Sequence, residues 1–581
     1  MKRILLPVIT NLTLFIISIF LLGAFDVAYH YYLFHEVEFF DIMKDFTEMI
    51  FMAYLICVCS YFLRKIHLKV FFYVVLFIIY TFNCYLLYQF NSDIAPNIIL
   101  LLFETNSKEV SGFFQKYFFT PATFKTFVIV GVLLALTILG ERFNKRITKF
   151  ASKTASICVI AVILLIGLIG SIGTIQRYWE LARCKRAYDA EVWIRNKLYS
   201  HIMPMPNLFY SFAAINLADA DLNFMVEATE NSLVDVKPVE SDSLNIILVI
   251  GESYNKYHSP LYGYPLDTNP YQCEEQEKGN LYAFTHVQAP FNMTSIVLKN
   301  VFCCNSVFEG ERWHDAPFFP AIFKKAGYDV WLWDNQYQVG QDQPWSFTLN
   351  SILFNKQIQQ QSYTAINENC FTFDKELITD FEKNEKSKMG SHNLVIFHLF
   401  GQHVPASAQY PHEKKYLKYT FDDIPYKHAF LTDISRQEVV DYDNATRYND
   451  EVIKHIMDMF SDTNTVLIYF SDHGEEVYDY RDYCGRTILD EGTSSDPNII
   501  KYQVEVPFIV WANDKWKQQH EAEWQTIGQA VDKAFTTDNI CHLLFNLAGI
   551  QTKVYKPERD LFSPKFKPKP ETEKHNVMMA L

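Results

Sequence analysis

Residues 466–476 run V-L-I-Y-F-S-D-H-G-E-E. A carboxylate oxygen from Asp472 and an imidazole nitrogen from His473 are ligands that one metal ion can share, and Gly474 beside them lets the backbone turn. Asp and His on a loop also serve as ordinary hydrogen-bonding groups, so the chemistry must be judged from what else reaches the same place. The five residues before Ser471 are apolar and β-prone, the pattern of a strand buried on both faces. In an open α/β sheet, ligands bind just past the carboxyl ends of such strands.

Four other runs read as strands: 244–250, 328–333, 394–399 and 506–511. The first ends in Gly251, Glu252 and Ser253, and the second in Asp334, Asn335 and Gln336. His398 and His403 flank the turn after Phe397. Helical stretches such as 317–326 and 448–460 fall between the runs, which predicts a mostly parallel sheet covered by helices on both faces. Four strand ends bearing possible ligands or head-group contacts point to one site on one edge of that sheet. Ser253 is a candidate second nucleophile, but capping the next helix is the ordinary use of a serine there.

The chain has 581 residues, too many for one ordinary domain, and its apolar residues crowd the first third. Residues 5–25 are nearly free of charge and long enough to cross ~30 Å of hydrocarbon. Further apolar segments lie at about 49–63, 70–90, 127–140 and 156–175, the first and third of these being short. With four more segments following, residues 5–25 read as a span rather than a cleaved signal. Lys2 and Arg3 precede the first segment, Lys65 and Lys69 follow the second, and Arg142, Lys145 and Arg146 follow the fourth. The positive-inside rule then puts the N-terminus in the cytoplasm and, after five crossings, everything beyond residue 175 outside it. The expected division is a five-helix membrane domain at 1–176, linking helices and a connector at 177–242, and an extracytoplasmic catalytic domain at 243–581. The loop at 91–126 holds Glu104, Thr105 and Asn106, either a solvated loop with a helix cap or, on the catalytic side, a holder for a lipid head group. A formal net charge of -14 argues against a nucleic-acid partner. Seven of the eleven cysteines fall on the extracytoplasmic side, where disulfides are allowed, and an odd number leaves at least one free or paired between chains.

Seven short motifs occur in order: G-E-S at 251–253, L-Y-G-Y-P-L-D-T-N-P at 261–270, N-M-T-S at 292–295, W-D-N-Q at 333–336, H-L-F-G-Q-H-V-P at 398–405, D-Y-D-N-A-T-R-Y-N-D at 441–450 and S-D-H-G-E-E at 471–476, and E-T-N at 104–106 joins them from the loop upstream. Together they resemble the phosphoethanolamine transferases, membrane members of the alkaline phosphatase and sulfatase superfamily. S-D-H-G-E-E-V-Y-D and Gly485-Arg486 look most like the branch that modifies the lipopolysaccharide core rather than lipid A. The resemblance implies that Glu252, Asp472 and His473 hold a zinc ion, with Thr294 as a further ligand and the nucleophile. It allows a second, weaker metal site near His403, which would touch the phosphoryl group or protonate the leaving alkoxide. Asn106 and Asn335 would lie near the donor head group. Relatives often carry a His just before the strand at 506–511; here Gln503 would stand in as a substrate contact, unable to carry a proton.

The implied reaction moves phosphoethanolamine from phosphatidylethanolamine to an envelope glycolipid, with a covalent intermediate on Thr294. The implied setting is a bacterial inner membrane, the catalytic domain in the periplasm, the protein a monomer. A phosphoglycerol transferase of the lipoteichoic-acid-synthase type shares the plan, with manganese and phosphatidylglycerol. A membrane-anchored scaffold without chemistry is a further alternative. A sulfatase activity is disfavoured, because Cys303, Cys304 and Ser306 lack the Pro and Arg that formylglycine formation needs.

Overall fold

The computed structural model describes residues 2–29, 39–63, 65–90, 94, 120–172, 175–176, 179, 182–183, 204–240, 242–336, 352–353, 356–487 and 496–568. Asn106, expected near the head group, lies outside them. The chain divides into two compact units, the first ending at Ala218 and the second starting at Asp219.

The first unit is helical: Lys2–Thr10, Leu12–Tyr29, Phe39–Phe62, Ile66–Phe90, Pro121–Arg142, Asn144–Ala151 and Thr154–Gly170. By length and composition, Ile66–Leu86 and Thr123–Gly140 suffice to cross a membrane. Phe46–Phe62 and Thr154–Gly170 are apolar but shorter. The first expected span is not straight, since Ile4–Thr10 and Leu12–Leu22 meet at 86°. Asn11 sits at the corner and is buried. Its amide donates to the Pro7 carbonyl (2.8 Å), and its Oδ1 accepts from Ser60 Oγ (3.2 Å) and Lys69 Nζ (3.0 Å). A proline without an N–H and a side chain inserted into the helical ladder are recognised causes of a kink. Among the described residues, two crossings, or three if the bent pair is one span, are supported by length and composition, and the expected five-helix count is not established by this measure.

The second unit is built on β1 (Leu244–Gly251), β2 (Leu281–Ala283), β3 (Val287–Gln288), β4 (Asp329–Asp334), β5 (Ala365–Ile366), β6 (His392–His398), β7 (Thr465–Ser471), β8 (Glu476–Val477), β9 (Cys484–Gly485), β10 (Phe508–Ala512) and β11 (Phe535–Thr536). Seven of them form one sheet in the order β2-β10-β7-β1-β6-β4-β5, while β3 pairs with β11 and β8 with β9. From β7 to β5 all neighbours are parallel; β10 runs antiparallel to β7, and β2 antiparallel to β10. The run at 506–511 was expected to join a parallel set. It is the one that reverses, because an apolar run carries no direction.

Residues alternate between the two faces, as the strand period requires. Ile246, Leu248 and Ile250 pack with Val297 and Val301 of helix Thr294–Phe302 and with Phe319 and Ile322 of helix Phe319–Lys325. Ile247 and Val249 pack with Leu377 and Phe381 of helix Asp374–Asn384 and with Val452 and Ile456 of helix Asp433–Met459. That last helix starts well before the expected 448, where Thr432 accepts from the Ser435 N–H and opens it. The division between the units falls inside helix Pro204–Ser232, within the stretch read as a connector. Leu222, Met225, Val226 and Val236 belong to the core of the sheet unit. Register brings the ends of β1, β6 and β7 level: Ile250 pairs with both His398 and Phe470, and Gly251 with Ser471.

Candidate metal centre and nucleophile

Glu252 and Asp472 leave adjacent strands at the same level, and both are fully buried together with His473. Asp472 Oδ1 accepts from the backbone N–H of His473 (2.7 Å) and of Ser253 (3.2 Å). Its Oδ2 has no hydrogen-bond partner and lies 3.2 Å from His473 Nε2. His473 Nδ1 is 2.8 Å from the Gly474 carbonyl, which only an N–H can satisfy, so the Nε2 lone pair faces the two carboxylates. Glu252 Oε1 is 3.1 Å from that Nε2. Burial and the Glu252 charge together push the Asp472 carboxyl up to about 7.

Thr294 opens helix Thr294–Phe302, and its Oγ1 lies 3.0 Å from Glu252 Oε2 and 3.1 Å from His473 Nε2. Three oxygens, from Thr294, Glu252 and Asp472, therefore converge on His473 Nε2 at 3.1 to 3.2 Å. Donors on a tetrahedral ion with bonds of roughly 2.0–2.2 Å lie about 3.3–3.6 Å apart, so the set fits such an ion with little adjustment. Lone pairs facing one another in a dry site call for a cation. Among the described residues, Glu252, Asp472 and His473 form the one group of this kind.

The strand-end residue that reaches this centre from β4 is Gln336, not Asn335. Gln336 Nε2 donates to Glu252 Oε2 (3.2 Å) and to the Leu399 carbonyl (2.8 Å). Asn335 is buried, donating to Asp374 Oδ1 (2.8 Å) and accepting from the Phe371 N–H (2.7 Å). His398 is held by Asp334, Nδ1 to Oδ2 at 3.0 Å. His403 donates from Nδ1 to the Val404 carbonyl (2.8 Å). Burial, helped by the Arg486 and His473 charges, pulls its imidazole down to about 4 against the pull of Glu252, so it is neutral near pH 7.

Gln503 braces the nucleophile loop. Its Oε1 accepts from Asn292 Nδ2 (2.9 Å) and the Thr487 N–H (2.9 Å), and its Nε2 donates to Glu476 Oε2 (3.2 Å). Arg486, one residue past β9, donates from Nη1 to His473 Nε2 (2.6 Å) and to the Asn292 carbonyl (3.3 Å), while its Nε pairs with Glu475 Oε2 (3.1 Å). Nothing periodic marks Arg486 in the sequence; its only signal was the Gly485-Arg486 pair. Ser253 caps no helix: its hydroxyl donates to Glu252 Oε1 (2.8 Å), and Asn255 caps the next turn. Ser253 has φ +58, a strained setting for a non-glycine residue, and Tyr442 OH holds its carbonyl at 2.6 Å.

Phosphoethanolamine transferase EptC of Escherichia coli O18:K1:H7 is 27% identical to this chain over 328 residues, 55% of this chain and 54% of the relative. The chain thus spans about half the length of that relative. Phosphoethanolamine transferase CptA of Salmonella typhimurium is 24% identical over 82% of this chain and 79% of the relative. The integral membrane lipooligosaccharide phosphoethanolamine transferase A of Neisseria meningitidis shares the fold, with a TM-score of 0.62 and 18% identity over 95% of this chain and 97% of that one. The sulfatase family model matches residues 244–550, from the first residue of β1 to beyond the last strand of the sheet, and takes in every ligand of the buried triad. More than half of the chain lies inside that match, and the protein belongs to the sulfatase family.

Proposed function

We propose that this protein transfers phosphoethanolamine from phosphatidylethanolamine to a hydroxyl of an envelope glycolipid, in the lipopolysaccharide core or lipid A, with Thr294 carrying the group between them. The observation that carries the reading is the Thr294 hydroxyl, placed at a helix start within 3.1 Å of both the Glu252 carboxylate and the His473 imidazole. The transferases named above support the transferred group. The site is proposed to face the periplasm from a multi-pass inner-membrane anchor, in keeping with the Lys and Arg distribution.

Glu252, Asp472, His473 and Thr294 would hold zinc, which when bound supplies the Lewis acidity that makes a hydroxyl nucleophilic at neutral pH. Glu252 and His473 orient Thr294 Oγ1. The oxygen attacks the phosphorus of the donor, the bond from phosphorus to the diacylglycerol oxygen breaks, and that oxygen takes up a proton. His403, neutral with its Nε2 lone pair available, takes the hydroxyl proton first and returns it to the leaving oxygen. In the second half the acceptor hydroxyl oxygen attacks the phosphorus, the bond from phosphorus to Thr294 Oγ1 breaks, and His403 passes the acceptor's proton to that oxygen, which restores the free threonine. Arg486, beside His473 and the Asn292 carbonyl, offers a guanidinium to the phosphoryl oxygens.

The test is mass spectrometry of the protein incubated with phosphatidylethanolamine and no acceptor. A phosphoethanolamine adduct is expected on the peptide containing Thr294, absent in Thr294→Ala and retained in part in Thr294→Ser. An adduct on Ser253 or Ser295 reassigns the nucleophile, and full transfer by Thr294→Ala removes the covalent route.

A further inference from the structure

Ser253 follows Glu252 off the end of β1 in a left-handed conformation, φ +58, that a residue bearing a Cβ adopts only under constraint. The turn it starts, 253–255, has each of its backbone N–H groups met by a side chain. Ser253 N–H donates to Asp472 Oδ1 (3.2 Å), Tyr254 N–H to Ser471 Oγ (2.9 Å), and Asn255 N–H to the phenol oxygen of Tyr442 (2.7 Å). That same phenol donates its proton to the Ser253 carbonyl (2.6 Å). One hydroxyl thus clasps the turn on both sides of Tyr254. Ser253, Tyr254, Asn255 and Tyr442 are each at most 1% exposed, so the clasp works out of reach of bulk water.

The turn in its clasped form touches all three buried metal-ligand candidates. Ser253 fixes Asp472 through its N–H, and its hydroxyl donates to Glu252 Oε1 (2.8 Å). Ser471 Oγ, which accepts from Tyr254, donates in turn to the His473 carbonyl (2.8 Å). Tyr442 itself comes from helix Asp433–Met459, seated on the sheet through Val452 and Ile456, and not from a loop. Take its oxygen away, and a buried carbonyl and a buried N–H lose their partner together. Nothing then opposes relaxation of Ser253 to an ordinary φ, which swings its N–H and its hydroxyl off the two carboxylates.

We propose that Tyr442 is a positioning residue for the zinc site: it holds the 253–255 turn left-handed and so sets Glu252, Asp472 and His473 before the ion arrives. The inference rests on the reading of those three as zinc ligands. The experiment uses the full chain in detergent and measures zinc affinity by competition with a chelator, the melting temperature of the zinc-free protein, and transfer kinetics. Tyr442→Phe removes one oxygen at almost unchanged volume. It should weaken zinc binding about tenfold or more, with kcat low at limiting zinc, restored by excess zinc, and KM for phosphatidylethanolamine unchanged. Tyr328→Phe, which removes a buried phenol donating to the Ala548 carbonyl (2.9 Å), should lower the melting temperature and leave zinc affinity as in the parent. Glycine takes φ +58 without penalty, so Tyr442→Phe should weaken zinc binding much less when added to Ser253→Gly than when added to the parent. Parent-like zinc affinity in Tyr442→Phe, with only the melting temperature lowered, overturns the proposal and leaves the phenol a role in folding alone. An equal loss in both backgrounds also overturns it, since the phenol then does not act through the Ser253 backbone. A parent protein that binds no zinc overturns the metal reading itself, whatever the variants do.

Discussion

Asp472 divides its two oxygens between jobs: one is locked by backbone N–H groups, the other faces the site. A second buried carboxylate, Asp443, is used differently. Its Oδ1 lies 2.7 Å from His258 Nδ1, and its Oδ2 accepts from Tyr264 OH (2.8 Å). Burial lowers the His258 pKa, but the Asp443 and Asp479 charges outweigh it and push the imidazole up to about 10. Raised in the folded state, this group contributes stability that is fully present below about 6.5 and is lost as pH rises through about 10. His258→Gln leaves a buried carboxylate without its cation and should cost about 3–5 kcal/mol near pH 7. Denaturant unfolding of parent and variant should show that difference shrinking between pH 7 and about 10. A difference that stays constant over that range means His258 is neutral in the folded protein.

At the scale of elements, the site depends on a turn pressed against a strand end. Gly401 follows β6 with φ +54, and a Cβ there would meet Glu252 O at 2.6 Å and Glu252 N at 2.8 Å. Gly263 also has a positive φ, +95, but nothing lies within 4 Å. Gly401→Ala should therefore shift Glu252 and lower bound metal and transfer together, while Gly263→Ala should cost about 1 kcal/mol in stability and leave metal content unchanged. Metal analysis of the two purified variants checks this; equal metal in both means the turn is not what positions Glu252. The strands that carry Glu252, Asp472 and His473 were legible because each is an apolar run ended by polar residues. The direction of β10, the two-residue β5 and the three-residue β2 were not, since short or undirected runs leave no pattern. Gln336 and Asn335 are neighbours in sequence, and which one turns inward depends on the pleat beyond β4. Arg486 reaches His473 from an irregular segment, where tertiary placement alone decides.

For the whole molecule, the bend at Asn11 makes the number of crossings a question of parity. If the bent pair crosses once, the Lys and Arg distribution is satisfied by five passages and the sheet unit is periplasmic. Alkaline phosphatase fused after Arg177 should then be active, and a cytoplasmic reporter at the same point inactive. The reverse outcome would mean that one apolar segment turns back instead of passing through. Composition revealed this unit as membrane-seeking, but a corner made by one asparagine and three partners is invisible to hydropathy.

The level ends of β1 and β7 have a consequence for ion selection. Gly251 and Ser471 are paired across the sheet, so the roots of Glu252 and Asp472 are set apart by the fixed interstrand distance of about 4.8 Å, not by pliable loops. Such a frame acts as a caliper. Calcium seeks six to eight oxygens at about 2.3–2.6 Å, whereas here one nitrogen and three oxygens, each within 3.1 to 3.2 Å of that nitrogen, offer too few ligands. After chelation, zinc should restore the melting temperature of the protein, whereas calcium at about a hundredfold higher concentration should not. Recovery with calcium would show that the strand ends spread and that size does not govern the choice of ion.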